Sequence, residues 1–385
     1  MNARASVTTA RAPAAIAAIR LEGPDAAAIL EDVFPAPNGL PRSLKPGDIA
    51  VGDLVDGAAT IDNVVVACLC KQTFDINCHG NPLITTAVMR VLQDRDAELV
   101  AIDRMLYERF RPHCNNTIQL EARLQQLTAA TLPGVKLIAA QACTGLAAAA
   151  KKWLADIQTQ PLESIQRQAA EALRRARIAK PLIYGCKIVL AGPPNSGKST
   201  LLNALTGRPQ AITADVPGTT RDYVTASCRI GPLAVQFIDT AGLDPTLTAE
   251  PADRAAQTAA KELLNDCDLV LHVIDAPRPG TIQPLPTPTP VIVVLNKSDL
   301  PPRITPQDLP FQPAATVALS ALHAKGLETL TKAIETALNP GSLEPTAPIP
   351  FTTRQTTLLT QLTTASDKSH ARSLITQLLT APLPS

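Results

Sequence analysis

Gly192-Pro193-Pro194-Asn195-Ser196-Gly197-Lys198-Ser199 is the stretch on which the reading of this chain turns. It follows Lys187-Ile188-Val189-Leu190-Ala191, an apolar run of strand length, and precedes a run of helix formers from Thr200. Strand, glycine-containing loop and helix in that order make GxxxxGK[ST] a phosphate-binding loop. The glycines let backbone N–H groups turn inward, and the helix N-terminus adds partial positive charge at the same place. Lys198 is then expected to reach the β- and γ-phosphates and the Ser199 hydroxyl to ligate Mg²⁺. Gly192, Asn195, Ser196, Gly197 and Thr200 line the same loop.

Working outward, a second apolar run, Ala234–Ile238, ends in Asp239-Thr240-Ala241-Gly242. Asp239 stands at a strand end near the expected Mg²⁺, and Gly242 can donate its N–H to a γ-phosphate. Between the two runs lies Gly218-Thr219-Thr220-Arg221-Asp222. Here Thr219 or Thr220 can complete the Mg²⁺ shell, with Thr220 the expected ligand. A third run, Val291–Leu295, ends in Asn296-Lys297-Ser298-Asp299. Asp299 can accept from the N1–H and exocyclic amine of guanine; adenine offers no such pair, and an unpaired carboxylate would disfavour it. The Lys297 stem can cover the base. Ser320-Ala321-Leu322 fits a loop whose backbone contacts guanine O6. Five elements in this order predict a site that binds and hydrolyses GTP.

The chain has 385 residues, enough for two or three domains, and a formal net charge of +1, so no global basic field argues for bulk nucleic-acid binding. Aromatics make up 3% of it, leaving Ala, Leu, Val and Ile to fill the cores. Apolar runs such as Leu269–Ile274 are strand-sized, and Met1–Arg11 leads into no apolar stretch of signal-peptide type. A cytoplasmic protein is the expectation. The eight cysteines form no CxxC pair. Cys68, Cys70, Cys78 and His79 come nearest to a metal set. Cys68 and Cys70 are expected on one face of a strand, and they read better as small buried residues.

Three textures divide the chain. Residues 1–115 mix short apolar runs with turns: strands at Ala14–Arg20, Asp48–Val55, Asn63–Cys70 and Phe74–Asn77, helices at Pro24–Val33 and Pro82–Leu92, an α+β pattern. Residues 116–182 are helical, with Leu120, Leu124 and Leu127 on one face, a break at Pro133-Gly134, and helices over Val135–Ile157 and Pro161–Lys180. Arg174, Arg175, Arg177 and Lys180 make the last turns basic, either as helix-end charge or as a phosphate contact. Residues 183–340 repeat strand, loop and helix around the glycine-rich loop, with a proline-rich surface segment at Pro277–Pro290. Residues 341–385 return to helical spacing at Leu358, Leu359 and Leu362, and at Leu374, Leu378 and Leu379, and are expected to pack on the first helical segment.

GPPNSGKS, AITADVPGTTRD, DTAGL and NKSD together resemble the TrmE-Era-EngA-like GTPases, and within them the MnmE/TrmE family of tRNA-modification GTPases. Ala14–Pro24 is similar to that family's opening strand, Cys78–Ile84 to its HGG-P segment, and Phe351–Arg354 to the point where the chain re-enters the helical domain. The resemblance implies an α/β P-loop GTPase domain inserted in a helical domain and preceded by an α+β N-terminal domain that binds a tetrahydrofolate derivative and dimerises. It implies G domains that meet across their switch faces and a K⁺ ion in place of an arginine finger, with Asn195 as its ligand and Ala214–Thr220 supplying carbonyls. Leu243 replaces the glutamine of Ras-like enzymes. The water-orienting acid is then Glu250 or Asp253, with Glu250 narrowly favoured. The implied reaction modifies the wobble uridine of tRNA, with an FAD-dependent MnmG-type partner and no membrane. Members of the family carry a cysteine motif near the C-terminus, whereas the last cysteine here is Cys267, and no T-G-E-D run precedes Cys78. The alternative is a regulatory or ribosome/RNA-assembly GTPase that has lost the modification chemistry.

Overall fold

Alternation from Ile16 to Glu22 puts Ala17, Ile19 and Leu21 on one face, and that face is buried. The same logic builds a six-stranded sheet from β1 (Ala3–Val7), β2 (Ile16–Glu22), β3 (Ile49–Asp56), β4 (Ala59–Cys70), β5 (Thr73–His79) and β6 (Ala97–Leu99). Its order is β3-β4-β5-β2-β1-β6, antiparallel except for the β1–β6 pair. The inner face packs on α1 (Ala26–Val33) and α2 (Pro82–Gln93) through Ile19, Leu21, Leu30, Phe34, Phe74, Ile76 and Leu92. The α2 N-terminus is capped by the Asn81 side chain, which accepts from Leu83 N at 2.9 Å, with Pro82 in the first turn. The short strands β1 and β6 and the helix α3 (Ile102–Phe110) are additions to the sequence expectation. The computed structural model describes residues 3–9, 14–35, 44–207, 224–239, 262–338 and 343–380. These divide into two compact units after Cys114.

One cysteine expectation needs correction. Cys68 is buried and Cys70 exposed, because the β4–β5 register shifts between them and the bulge turns Cys70 outward. Among the described residues no cluster of three His, Cys, Asp or Glu side chains is placed to hold a metal.

The second unit joins helices to a second six-stranded sheet. Its elements are α4 (Thr117–Gln126), α5 (Leu132–Gln141), α6 (Leu146–Asp156), α7 (Leu162–Tyr184), β7 (Cys186–Ala191), α8 (Lys198–Thr206), β8 (Val224–Ile230), β9 (Leu233–Asp239), β10 (Leu269–Asp275), β11 (Val291–Asn296), β12 (Ala315–Ala318), α9 (Leu327–Leu338), α10 (Thr353–Thr363) and α11 (Lys368–Thr380). The strand order is β12-β11-β10-β7-β9-β8, with only the β8–β9 pair antiparallel. Chain order therefore reverses beside β7, and the loops at the carboxyl ends of β7 and β10 open there; this is where open α/β sheets bind ligands.

Pro133-Gly134 starts a helix instead of breaking one. Pro133 sits in the first turn of α5, and Thr131 caps it by accepting from Gly134 N at 3.0 Å while donating to Leu182 O at 2.6 Å. A Cβ on Gly134 would lie 2.2 Å from Leu182 O, so the glycine permits α5 and α7 to touch. The break falls later, at residues 142–145 between α5 and α6. Leu132–Asp156 is long and apolar enough to cross a membrane by composition, yet it is these two helices with Leu137, Ile138, Leu146 and Trp153 in the core. Leu120 is buried, but Leu127 lies past the end of α4 and is exposed.

Helices α10 and α11 pack back on α4–α7 through buried polar clamps. The Glu121 carboxylate accepts from Thr352 Oγ1 (2.9 Å), Arg354 Nε (2.8 Å), Arg354 Nη2 (2.7 Å) and Gln355 Nε2 (2.7 Å). Gln141 is fully buried, and its amide accepts from Leu146 N and Ile349 N and donates to Leu137 O and Pro345 O. Tyr184 Oη donates to Phe351 O.

Candidate active site

The loop after β7 owes its shape to two glycines with no space for a side chain. Gly192 has φ +140°, and a Cβ there would sit 2.2 Å from Val273 O; Gly197 has φ +96°, and a Cβ would sit 2.2 Å from Asn296 Nδ2. Gly197 is also the N-cap of α8, which starts at Lys198, two residues before the sequence expectation. Asn195 adopts φ +62°, a left-handed conformation that asparagine tolerates better than most residues.

Lys198 is buried, and its ammonium donates to Gly192 O at 2.8 Å and Pro193 O at 3.1 Å, so the charge sits inside the loop. Ser199 Oγ lies 2.7 Å from Asp239 Oδ2, which ties the first turn of α8 to the end of β9. Asp239 is buried, and its other oxygen, Oδ1, has no hydrogen-bond partner among the described residues; the same is true of Ser196 Oγ. A buried carboxylate oxygen left open beside a serine hydroxyl is an all-oxygen donor set that suits a hard divalent cation.

At the end of β11, Asn296 buttresses the site. Its Nδ2 donates to Ser196 O at 2.8 Å, and its Oδ1 accepts from Lys297 N (2.8 Å) and Ala321 N (3.0 Å). Ala321 N is thereby engaged, and Leu322 is exposed. Lys297 has φ +63°, strain of roughly 1–2 kcal/mol for a residue with a Cβ. Its ammonium bridges Asn195 O at 3.0 Å and Asp275 Oδ2 at 2.5 Å. Asp299 lies beside Ser320 and 3.9 Å from His323 Nε2. The hydrogen bond from Ser320, aided by a backbone N–H and by His323 and Lys325, outweighs desolvation and holds the Asp299 carboxyl below its usual range.

Thr219, Thr220, Gly242, Leu243, Glu250 and Asp253 lie outside the described residues, as does the Ala214–Thr220 segment. Thr200 is on the exposed first turn of α8. The basic end of α7 belongs elsewhere. Arg174 and Arg175 pair with Glu171, and Lys180 pairs with Asp268 at 2.8 Å, just before β10 and so at the opposite end of the sheet from the loop. Sequence reasoning gave Asp275 no role. Its signal was an acid closing β10 in register with Asn296.

Residues 187–297 match a family model described as 50S ribosome-binding GTPase, and residues 4–101 match the model of the GTP-binding protein TrmE N-terminus. The tRNA modification GTPase MnmE of Thermus thermophilus is 30% identical over 371 residues, spanning 86% of this chain and 82% of that protein. The tRNA modification GTPase MnmE of Methylorubrum populi is 33% identical over 357 residues, spanning 84% and 77%. This chain belongs to the MnmE family. The tRNA modification GTPase MnmE of Bacillus subtilis is 25% identical over 389 residues, spanning 89% of this chain and 84% of that protein. Membership makes the chain a GTP hydrolase with a P-loop GTPase domain and a TrmE-type N-terminal domain.

Proposed function

We propose that this chain hydrolyses GTP at the loop Gly192–Ser199 to drive modification of the wobble uridine of tRNA. The observation that carries the site is the convergence of Lys198, the Ser199–Asp239 pair and the Asn296–Ser196 strap on one loop. Backbone N–H groups of residues 195–199 and the Lys198 ammonium receive the phosphates. Ser199, Asp239 and Thr220 would hold Mg²⁺, which supplies charge neutralisation on the phosphate oxygens. Asp299 reads guanine, Lys297 covers it, and the hydrogen bond from Ser320 lowers the pKa of the Asp299 carboxyl. Glu250 or Asp253 orients the attacking water, and Gly242 donates to the γ-phosphate.

Hydrolysis in this reading is assisted by K⁺ and activated by dimerisation of the G domains. Asn195, the fourth residue of the loop, would hold the K⁺. A G domain over 183–340 is inserted between helical segments 116–182 and 341–385, a reading supported by the Glu121–Arg354 and Gln141–Ile349 clamps. Residues 1–115 form the folate-binding and dimerising domain. The cavity of about 500 Å³ beside Gly80, lined mainly by apolar groups with Thr85 and Thr86, is of ligand size and supports a tetrahydrofolate derivative there. Ile49, Val51 and Val65 are exposed on adjacent strands, which supports pairing of two copies. An FAD-dependent MnmG-type partner completes the reaction. The match to tRNA modification GTPases over 86% of the chain and the TrmE N-terminus favour this reading over a ribosome-assembly role.

The test is GTP turnover in K⁺ and in Na⁺. Faster turnover in K⁺, with the difference lost in Asn195→Ala, is expected; equal rates in both salts contradict the cation mechanism.

A further inference from the structure

Two straps run from the end of β11 to consecutive carbonyls of the phosphate loop. Asn296 reaches Ser196 O, and Lys297 reaches Asn195 O. The first is an amide held by its own hydrogen bonds to Lys297 N and Ala321 N. The second is a flexible ammonium, and something must hold it in place. We propose that Asp275 is a positioning residue for nucleotide binding: its carboxylate holds the Lys297 ammonium against the Asn195 carbonyl, so that the lysine over the base and the asparagine of the phosphate loop move as one unit. The inference rests on the reading of residues 192–199 and 296–299 as the GTP site.

Three observations converge on it. Asp275 Oδ2 is 2.5 Å from Lys297 Nζ, and Asp275 faces Asn296 in the β10–β11 register, so strand pairing fixes where the carboxylate stands. Asp275 Oδ1 is buried with no hydrogen-bond partner among the described residues. Among the described residues only one of the two carboxylate oxygens is therefore used in a protein contact, and that contact is the lysine. Finally, the strap joins two left-handed non-glycine residues, Asn195 and Lys297, whose conformations persist only where their surroundings over-determine them.

The pair also borders a cleft of about 650 Å³ lined by Pro193, Pro194, Asn195 and Arg278. Water in that cleft competes for the ammonium, and a carboxylate outcompetes it where a neutral amide does not. The base and the loop backbone are shared by GTP and GDP, so Asp275 acts on the affinity of both.

The experiment uses the full chain, with Asp275→Asn, Asp275→Glu, Lys297→Met and the Asn/Met double variant. Affinity for a fluorescent GDP analogue is titrated, and KM and kcat for GTP are measured. Asp275→Asn is expected to raise Kd for the GDP analogue and KM for GTP about tenfold, about 1.4 kcal/mol, whatever smaller change kcat shows. In the Lys297→Met background the same change is expected to cost less than about twofold, because the two residues act through one contact. Asp275→Glu keeps the charge and is expected to fall between wild type and the Asn variant; it also carries the test if the Asn variant does not fold. An unchanged Kd, an equal loss in both backgrounds, a loss confined to kcat, or a Glu variant no better than Asn overturns the proposal. A wild-type chain that does not bind the GDP analogue refutes the site reading instead.

Discussion

Replacing Arg354 by methionine tests the packing of the second unit most sharply. The guanidinium gives Glu121 two charge-assisted hydrogen bonds, at 2.8 and 2.7 Å, and binds Gln377 O and Leu378 O near the end of α11. The Glu121 side chain is 3% exposed. Methionine fills much of the space but leaves the carboxylate with only Thr352 and Gln355 as donors. Breaking a buried pair on one side costs about 3–5 kcal/mol, because the surviving charge is desolvated without its counter-ion. The two lost carbonyl contacts push toward the upper end. Replacing both partners, Glu121→Met with Arg354→Met, removes the stranded charge and is expected to recover most of that loss. Urea unfolding followed by far-UV circular dichroism reads both, as a shift in midpoint with little change in slope. A loss below about 1 kcal/mol for Arg354→Met, or a double variant worse than the single one, would refute the account of this clamp.

Other outcomes follow from the same geometry. Asp299→Asn removes the acceptor pair for guanine; GTP affinity is expected to fall about a hundredfold or more, about 3 kcal/mol, and xanthine nucleotides to gain what guanine loses, read by competition binding. The depressed Asp299 carboxyl sets the sign of the pH dependence. Its contribution to GDP affinity is fully present above the ordinary value of 3.8 and is lost as pH falls through the lower folded value. Ser320→Ala removes the largest cause of the depression, so the loss should begin at higher pH in that variant; superimposed profiles would contradict the assignment. Burial, with Asp268 adding to it and Lys180 opposing, pushes the Cys186 thiol up to about 12. Under native conditions a maleimide should therefore modify exposed Cys70 and Cys143 and spare Cys186, by intact-mass and peptide analysis.

The phosphate loop and the β7, β9, β10 and β11 strands were legible in the sequence because each strand is a short, mostly apolar run and β7, β9 and β11 lead straight into a motif. Buried parallel strands write themselves that way. Strands β1 and β6 were missed because their Ala-rich, three- to five-residue lengths carry no periodic signal. Pro133 was read as a breaker when Thr131 caps the helix it opens; propensity alone does not say which side of a proline the helix lies on. The bulge that separates Cys68 from Cys70 depends on the partner strand, not on local sequence. The placement of Asn195, Ser196, Gly197, Lys198 and Ser199 at the turn from β7 into α8, and of Asp299 just after β11, was legible by motif. The Asp275–Lys297–Asn195 strap was not, since its members come from three separate segments and only the sheet register brings them together.

Mass analysis of tRNA wobble uridines tests the central claim most directly, in cells whose own copy of the gene is deleted and replaced by wild type or by Lys198→Ala. The account predicts that the deletion loses a wobble-uridine modification, that wild type restores it, and that Lys198→Ala, unable to bind the phosphates, does not. Unchanged tRNA in the deletion strain, or full restoration by Lys198→Ala, would contradict it.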